Sequence, residues 1–126
     1  MQKLILDRLG TMVDSAAASV GVYHKVVPQQ SQFPAITFRQ ISFTSNICKG
    51  GINTQDTARW QIDIFHKKDT EAEFLFNDIR TKLESWNGVF ESERYNFTTL
   101  ENRTDSFDEV FQLERISVDF IIRKTQ

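Results

Sequence analysis

The fold class is decided by one segment, WQIDIFHKKDTEAEFLFNDIRTKL at residues 60–83, in which two apolar patterns of different period follow one another. In the first pattern apolar and polar residues alternate, which is typical of a half-buried strand. In the second, apolar residues recur every three or four positions, as on one face of an amphipathic helix. The strand pattern consists of Trp60, Ile62 and Ile64. The helical stripe consists of Leu75, Ile79 and Leu83 and continues to Trp86, just beyond the segment. The segment predicts a strand followed by a helix whose stripe packs in the core.

Local signals predict where this helix begins and ends. Thr70 and Glu73 have the spacing of a capping box, in which the two side chains bond free backbone N–H groups at a helix start. Gly88 predicts the end of the helix, because glycine accepts the left-handed conformation found after many helices.

The chain before this segment predicts a helix and two strands. Apolar residues at helical spacing indicate a helix over residues 2–20, which Gly21 would end. A short strand is predicted over residues 22–27, before Pro28. After Pro34 a longer strand is predicted, with Ile36 and Phe38 in one phase and Ile41 and Phe43 in the other. A bulge near residues 39–40 would return both pairs to one buried face.

The chain after the helix predicts two more strands. One lies around residues 92–100, and a long one begins at Phe111, with a change of phase that predicts a bulge near residues 114–115. Between them, ENRTDSFDE at residues 101–109 reads as a polar connection. We therefore expect one α+β domain over residues 1–126, with a mostly antiparallel sheet of about five strands packed against two helices. Its core is predicted to contain Trp60, Ile62, Ile64, Leu75, Ile79, Leu83, Val118 and Phe120.

Residues 44–56, TSNICKGGINTQD, are polar and contain two adjacent glycines. They predict a long loop or the tip of an extended hairpin, which is longer than a strand connection needs. Long loops on a rigid scaffold often carry function. The candidate contact residues for a neighbouring subunit or another protein are Ile47, Lys49, Gly50, Gly51 and Ile52. The alternative is a mobile hairpin tip without a partner.

The composition argues against several classes of protein. The 126 residues are 40% apolar and 25% charged, with a net charge of −2, and this balance gives no sign of a basic nucleic-acid-binding face. No apolar run approaches the roughly 20 residues of a membrane span. The single cysteine, Cys48, excludes a disulfide within the chain.

The sequence offers no arrangement of residues that indicates catalysis or metal binding. His24 and His66 are the only histidines, and neither has a further ligand at a suitable spacing, so both are interpreted as surface residues. Cys48 stands beside Lys49 but has no histidine near it in the sequence, so it does not indicate a nucleophile. We expect no enzymatic activity, no metal and no cofactor.

Two stretches resemble a bacteriophage family of tail completion, or tail terminator, proteins. The first is VYHKVVPQQSQFPAITFRQIS at residues 22–42, and the second is residues 60–83. The resemblance covers residues 2–88, while His24, Lys25 and Cys48 have no counterpart in the pattern. The matching positions are Val22, Tyr23, Pro28, Gln29, Pro34, Ile36, Phe38, Ile41 and Ser42, followed by Gln61, Ile62, Asp63, Phe65, Glu71 and Ala72.

The resemblance implies a structural role in the virion, at the tail or neck, after assembly in the host cytoplasm. It implies a homo-oligomeric ring, usually a hexamer, that caps the tail tube, stops its polymerisation and joins the tail to the head connector. DNA would pass through the opening without specific binding, so we expect that opening to be neutral or acidic. Two alternatives stay open: a head-completion or stopper protein of the neck, and a small α+β enzyme or ligand-binding domain.

Overall fold

A computed structural model describes residues 1–10, 12, 20–27, 33–47, 53–97, 100–110 and 112–125. The described elements are, in chain order, α1 (Gln2–Leu9), β1 (Gly21–His24), β2 (Ala35–Ile47), β3 (Asn53–His66), α2 (Asp69–Leu83), β4 (Asn87–Phe90), β5 (Glu93–Phe97), β6 (Asn102–Asp108) and β7 (Leu113–Thr125). The fold is α+β, as predicted.

The strands form one mixed sheet in the order β1-β2-β3-β7-β5-β4. Pairing is antiparallel except between β1 and β2, which are parallel. β5 and β6 share one edge of β7, since β5 pairs with residues 122–125 and β6 with residues 113–119. The seven strands exceed the predicted five because β4 and β6 carry too few apolar residues to show an alternating pattern.

Both helices contribute to one core on one face of the sheet, as predicted. The alternating residues of β3 and the stripe of α2 meet there, and the eight predicted core residues all belong to this cluster. α1 adds Leu4, Ile5 and Leu9, each at most 1% exposed. The Arg8 guanidinium donates to the Lys82 carbonyl oxygen at 2.7 Å, which joins the two helices. Burial of this apolar surface is the main force that holds the helices on the sheet.

The first helix is shorter than predicted, because it ends at Leu9. The N–H of Val20 donates to the carbonyl oxygen of Met12 at 3.1 Å, whereas an α-helix joins residues four apart. Residues 13–19 of the predicted helix lie outside the described residues. Gly21 begins β1. A Cβ atom there would collide with the ring of Tyr23, so glycine allows this ring to lie against the backbone.

Both predicted boundaries of α2 are wrong. Lys68 is the N-terminal capping position and makes no side-chain cap bond, while Thr70 already lies in the first helical turn. After Leu83 the chain reverses at Ser85, whose φ is 59°. Gly88 is instead part of β4, where a Cβ atom would lie 2.9 Å from the Trp86 ring.

Of the two predicted bulges, one is present. The pairing of β2 with β3 shifts register between Gln40 and Ser42, one residue beyond the predicted place. β7 keeps an unbroken register with β3 from Glu114 to Thr125, so the predicted bulge near residues 114–115 is absent. Leu113 and Ile116 are both buried because they belong to opposite faces, and both faces are covered at this end of the strand.

Candidate assembly surface

The β2–β3 hairpin pairs two long antiparallel strands. Its register runs from the pair Ala35–Phe65 to the pair Ile47–Asn53. Up to Phe38 the β2 residues are buried, whereas residues 39–45 are all exposed. The outer part of β2 therefore extends along β3 with water on both of its faces.

The bulge at Ile41 separates the buried part of β2 from this outer part. Because one extra residue is inserted, Phe43 returns to the face that Phe38 occupies. The expectation that this would bury both apolar residues is wrong: Ile41 is 47% exposed and Phe43 is 50% exposed. The bulge gives the outer part of the hairpin a half-exposed phenylalanine on the core side of the sheet.

A cavity of about 610 Å³ lies beside Phe43 at the base of the outer hairpin. The His24 ring packs against the Phe38 ring, with 5.2 Å between ring centres and a tilt of 32°, and the centre of the Trp60 ring lies 6.3 Å from that of His24. The buried Trp60 Nε1 has no hydrogen-bond partner among the described residues. The Asp56 carboxylate accepts a bond from the Ser45 hydroxyl at 2.9 Å, so it is held across the two strands.

A second, smaller cavity of about 220 Å³ lies where β6 crosses the start of α2. Arg103 of β6 donates to Glu73 of α2 at 3.2 Å and to Asp105 at 2.9 Å. These hydrogen bonds lower the pKa of the Glu73 and Asp105 carboxyl groups and raise the pKa of Arg103. The carboxylates are therefore occupied in ion pairs.

His66 lines this second cavity and is 3% exposed, so its interpretation as a surface residue is wrong. It lies in the same phase as Trp60, Ile62 and Ile64, which places it at the end of the buried row of β3. Its Nδ1 atom has no hydrogen-bond partner among the described residues. Asp63 points to the opposite face, where it accepts a bond from Gln61 at 2.8 Å. Nothing in the sequence indicated that His66 lines the same cavity as Glu73 and Asp105, because the three residues lie on different elements.

The described part of the chain holds no group of three or more histidine, cysteine or acidic side chains placed to bind a metal ion. Neither described helix is long and apolar enough to cross a membrane. His24 is half-buried beside the Phe38 ring, and Cys48 lies outside the described residues.

The predicted contact loop is shorter than residues 44–56, because residues 44–47 and 53–56 belong to β2 and β3. Ile47 pairs with Asn53 at the end of the ladder. The other four candidate contact residues, Lys49, Gly50, Gly51 and Ile52, lie outside the described residues. Their role in a contact stays a prediction.

The sequence matches the family model described as "Tail completion protein gp17" over residues 4–125. The fold is similar to a chain in a solved structure titled "Virion of native gene transfer agent (GTA) particle", with a TM-score of 0.62 and 12% identity over 98% of this chain and 85% of that chain. A search of curated proteins found no match. Since the family model spans nearly the whole sequence, the chain belongs to the tail completion protein gp17 family. It is a structural protein of bacteriophage tail assembly.

Proposed function

We propose that this tail completion protein forms a closed ring, most simply a hexamer, that caps the tail tube. The ring stops polymerisation of the tube and joins the tail to the head connector or stopper protein. It becomes part of the virion at the neck after assembly in the host cytoplasm. The family match supports a role in tail assembly, and the chain of similar fold comes from a virion particle.

The observation that carries the proposal is the outer half of the β2–β3 hairpin. Here β2 is an exposed strand, and its apolar residues Ile41 and Phe43 are half exposed. An exposed strand edge with apolar side chains is a surface suited to pairing with another chain. A subunit that joins neighbours and also docks on a tube needs such a projecting element.

Within this proposal the hairpin tip, residues 48–52, contacts the neighbouring subunit or the tail tube protein. DNA passes through the opening without specific binding, because each Lys or Arg that contacts a phosphate adds attraction that would hold the DNA. The net charge of −2 is consistent with a neutral or acidic opening.

Electron microscopy of lysates from a phage that lacks this protein tests the proposal. Without a terminator, tail tubes should grow beyond their normal length, and supplying the protein should restore that length. Tubes of normal length that fail to join heads would instead indicate the stopper role. Normal, joined tails would contradict both roles.

A further inference from the structure

β2 has one edge without a partner in the described part of the chain. β1 pairs with β2 only over Ala35–Phe38, and β3 occupies the other edge of β2. Beyond the bulge, from Ser42 to Ile47, no described strand lies along the outer edge. The N–H and C=O groups along such an edge are a template for a further strand.

This edge also lacks the features that usually prevent association. The segment SFTSNI at residues 42–47 contains no charged residue and no proline. Proteins commonly protect exposed edges with lysine, proline or a covering loop. The bulge at Ile41 interrupts pairing before this segment but leaves six consecutive strand residues after it, the last of them beyond a second register shift between Asn46 and Ile47. An uncharged edge of this length, with Phe43 half exposed, is expected to be covered in the working assembly.

A second edge of matching length lies on β6. Its seven residues, Asn102–Asp108, pair with β7 on one side, and no described strand pairs with the other side. Phe107 is 52% exposed, about as much as Phe43 on the first edge. The two edges lie at opposite margins of the sheet, because β3 and β7 separate β2 from β6.

Strand direction makes the two edges compatible. β2 is antiparallel to β3, and β3 is antiparallel to β7. β6 pairs with β7 directly and is antiparallel to it. β2 therefore runs parallel to β7, and β6 runs against both. If one sheet continues into the next copy with the same orientation, β6 meets β2 in the antiparallel direction, which is the slightly more stable pairing.

We propose that β6 of one copy pairs with residues 42–47 of β2 in the next copy, so that the sheet continues from subunit to subunit. This inference rests on the proposed ring and names the surfaces that build it. Because the two edges differ, the contact is head-to-tail, and head-to-tail contacts close into rings when the rotation permits. Pairing of β2 with β2, or β6 with β6, would instead give a two-fold dimer.

Two variants block one edge each. Phe43→Lys with Thr44→Lys places charges on both faces of the β2 edge, and Thr104→Lys with Phe107→Lys does so on β6. Phe74→Lys is the control, because Phe74 is 44% exposed and belongs to α2, not to either edge strand. Circular dichroism and urea unfolding establish that each variant is folded before assembly is measured.

Sedimentation velocity at micromolar concentration gives the test. Wild type and Phe74→Lys should form rings, and each edge variant alone should be a monomer. An equal mixture of the edge variants should form one-to-one dimers and nothing larger, because only one compatible pair of edges remains.

Dimers of the β6-blocked variant alone would indicate β2–β2 pairing and overturn the proposal. Rings from either folded edge variant, or a mixture that stays monomeric while wild type forms rings, would overturn it too. If Phe74→Lys also failed to form rings, the loss of assembly could not be assigned to the two edges, and the proposal would be overturned. A wild-type protein that stays monomeric would instead overturn the proposed ring itself.

Discussion

The guanidinium carbon of Arg103 lies 4.4 Å from the centre of the Phe76 ring, in the geometry of a cation–π contact. The same guanidinium donates to Glu73, so one side chain of β6 contacts α2 twice. β6 has few apolar residues of its own, and Arg103 fastens it to the helix layer. We infer that this contact helps to keep β6 in place.

Replacing Arg103 by glutamine should lower the free energy of unfolding by about 1 kcal/mol, from the lost cation–π contact and the partly screened ion pairs. Urea unfolding measures the change. Arg94→Gln is the control, because Arg94 is exposed on neighbouring β5 and should change stability by less than about 0.5 kcal/mol. Equal effects of the two substitutions would contradict a special role for Arg103.

The ion pairs of Arg103 also predict a dependence on pH. Arg103 lowers the pKa of Glu73 and Asp105 in the folded protein. A lowered carboxyl pKa stabilises the fold above the ordinary value of about 4, and this contribution is lost as pH falls through the folded pKa. The stability difference between wild type and Arg103→Gln should therefore shrink below about pH 4. A difference that stays constant from pH 6 to pH 3 would contradict this account.

Ile79 lies in the middle of the α2 stripe and is fully buried. Ile79→Ala should lower the free energy of unfolding by about 2–5 kcal/mol, because it removes buried apolar surface and leaves a cavity. Asn77→Ala, at an exposed position of the same helix, is the control. A loss below about 0.5 kcal/mol for Ile79→Ala would place this stripe outside the core.

His66 should be replaceable by an apolar residue of similar volume. Because its Nδ1 has no partner among the described residues, His66→Leu removes a buried polar atom and should cost less than about 1.5 kcal/mol. Tail assembly should proceed at normal yield. A folded His66→Leu protein that fails to assemble tails would show that the imidazole has a chemical or binding role.

Replacing residues 48–52 by Asn-Gly should keep the hairpin, because a two-residue turn can hold the register of two paired strands. The ladder provides that register up to the pair Asn46–Gln55, after which it shifts by one residue at the pair Ile47–Asn53. Thermal unfolding should be nearly unchanged, while ring formation or binding to the tail tube weakens. If the shortened protein completes tails at normal yield, the tip is not a contact element.

The sequence predicted those parts of the fold whose apolar pattern coincides with burial on one face. The rows of β3 and α2 are the clearest cases, and Ile62 and Ile79 lie in the core as expected. Predictions failed where glycine served a packing purpose. Gly88 looks like a helix end, but it lies in β4, where the lack of a Cβ atom lets the Trp86 ring lie against the strand.

Elements held mainly by their neighbours escaped the sequence analysis. β4 was not predicted: it is joined to the predicted β5 by a tight turn at Glu91 and Ser92, both with positive φ, whereas such turns usually contain glycine or asparagine. β6 is polar and depends on β7 and on Arg103. His66 was misread because its environment comes from α2 and β6, which are distant in the sequence.

Native mass spectrometry of the purified protein tests the central claim most directly, because it counts the subunits in one assembly. We predict one closed ring, most simply of six copies, and no assemblies with more subunits than the ring. A protein that remains a monomer or a two-fold dimer across micromolar concentrations would contradict the ring.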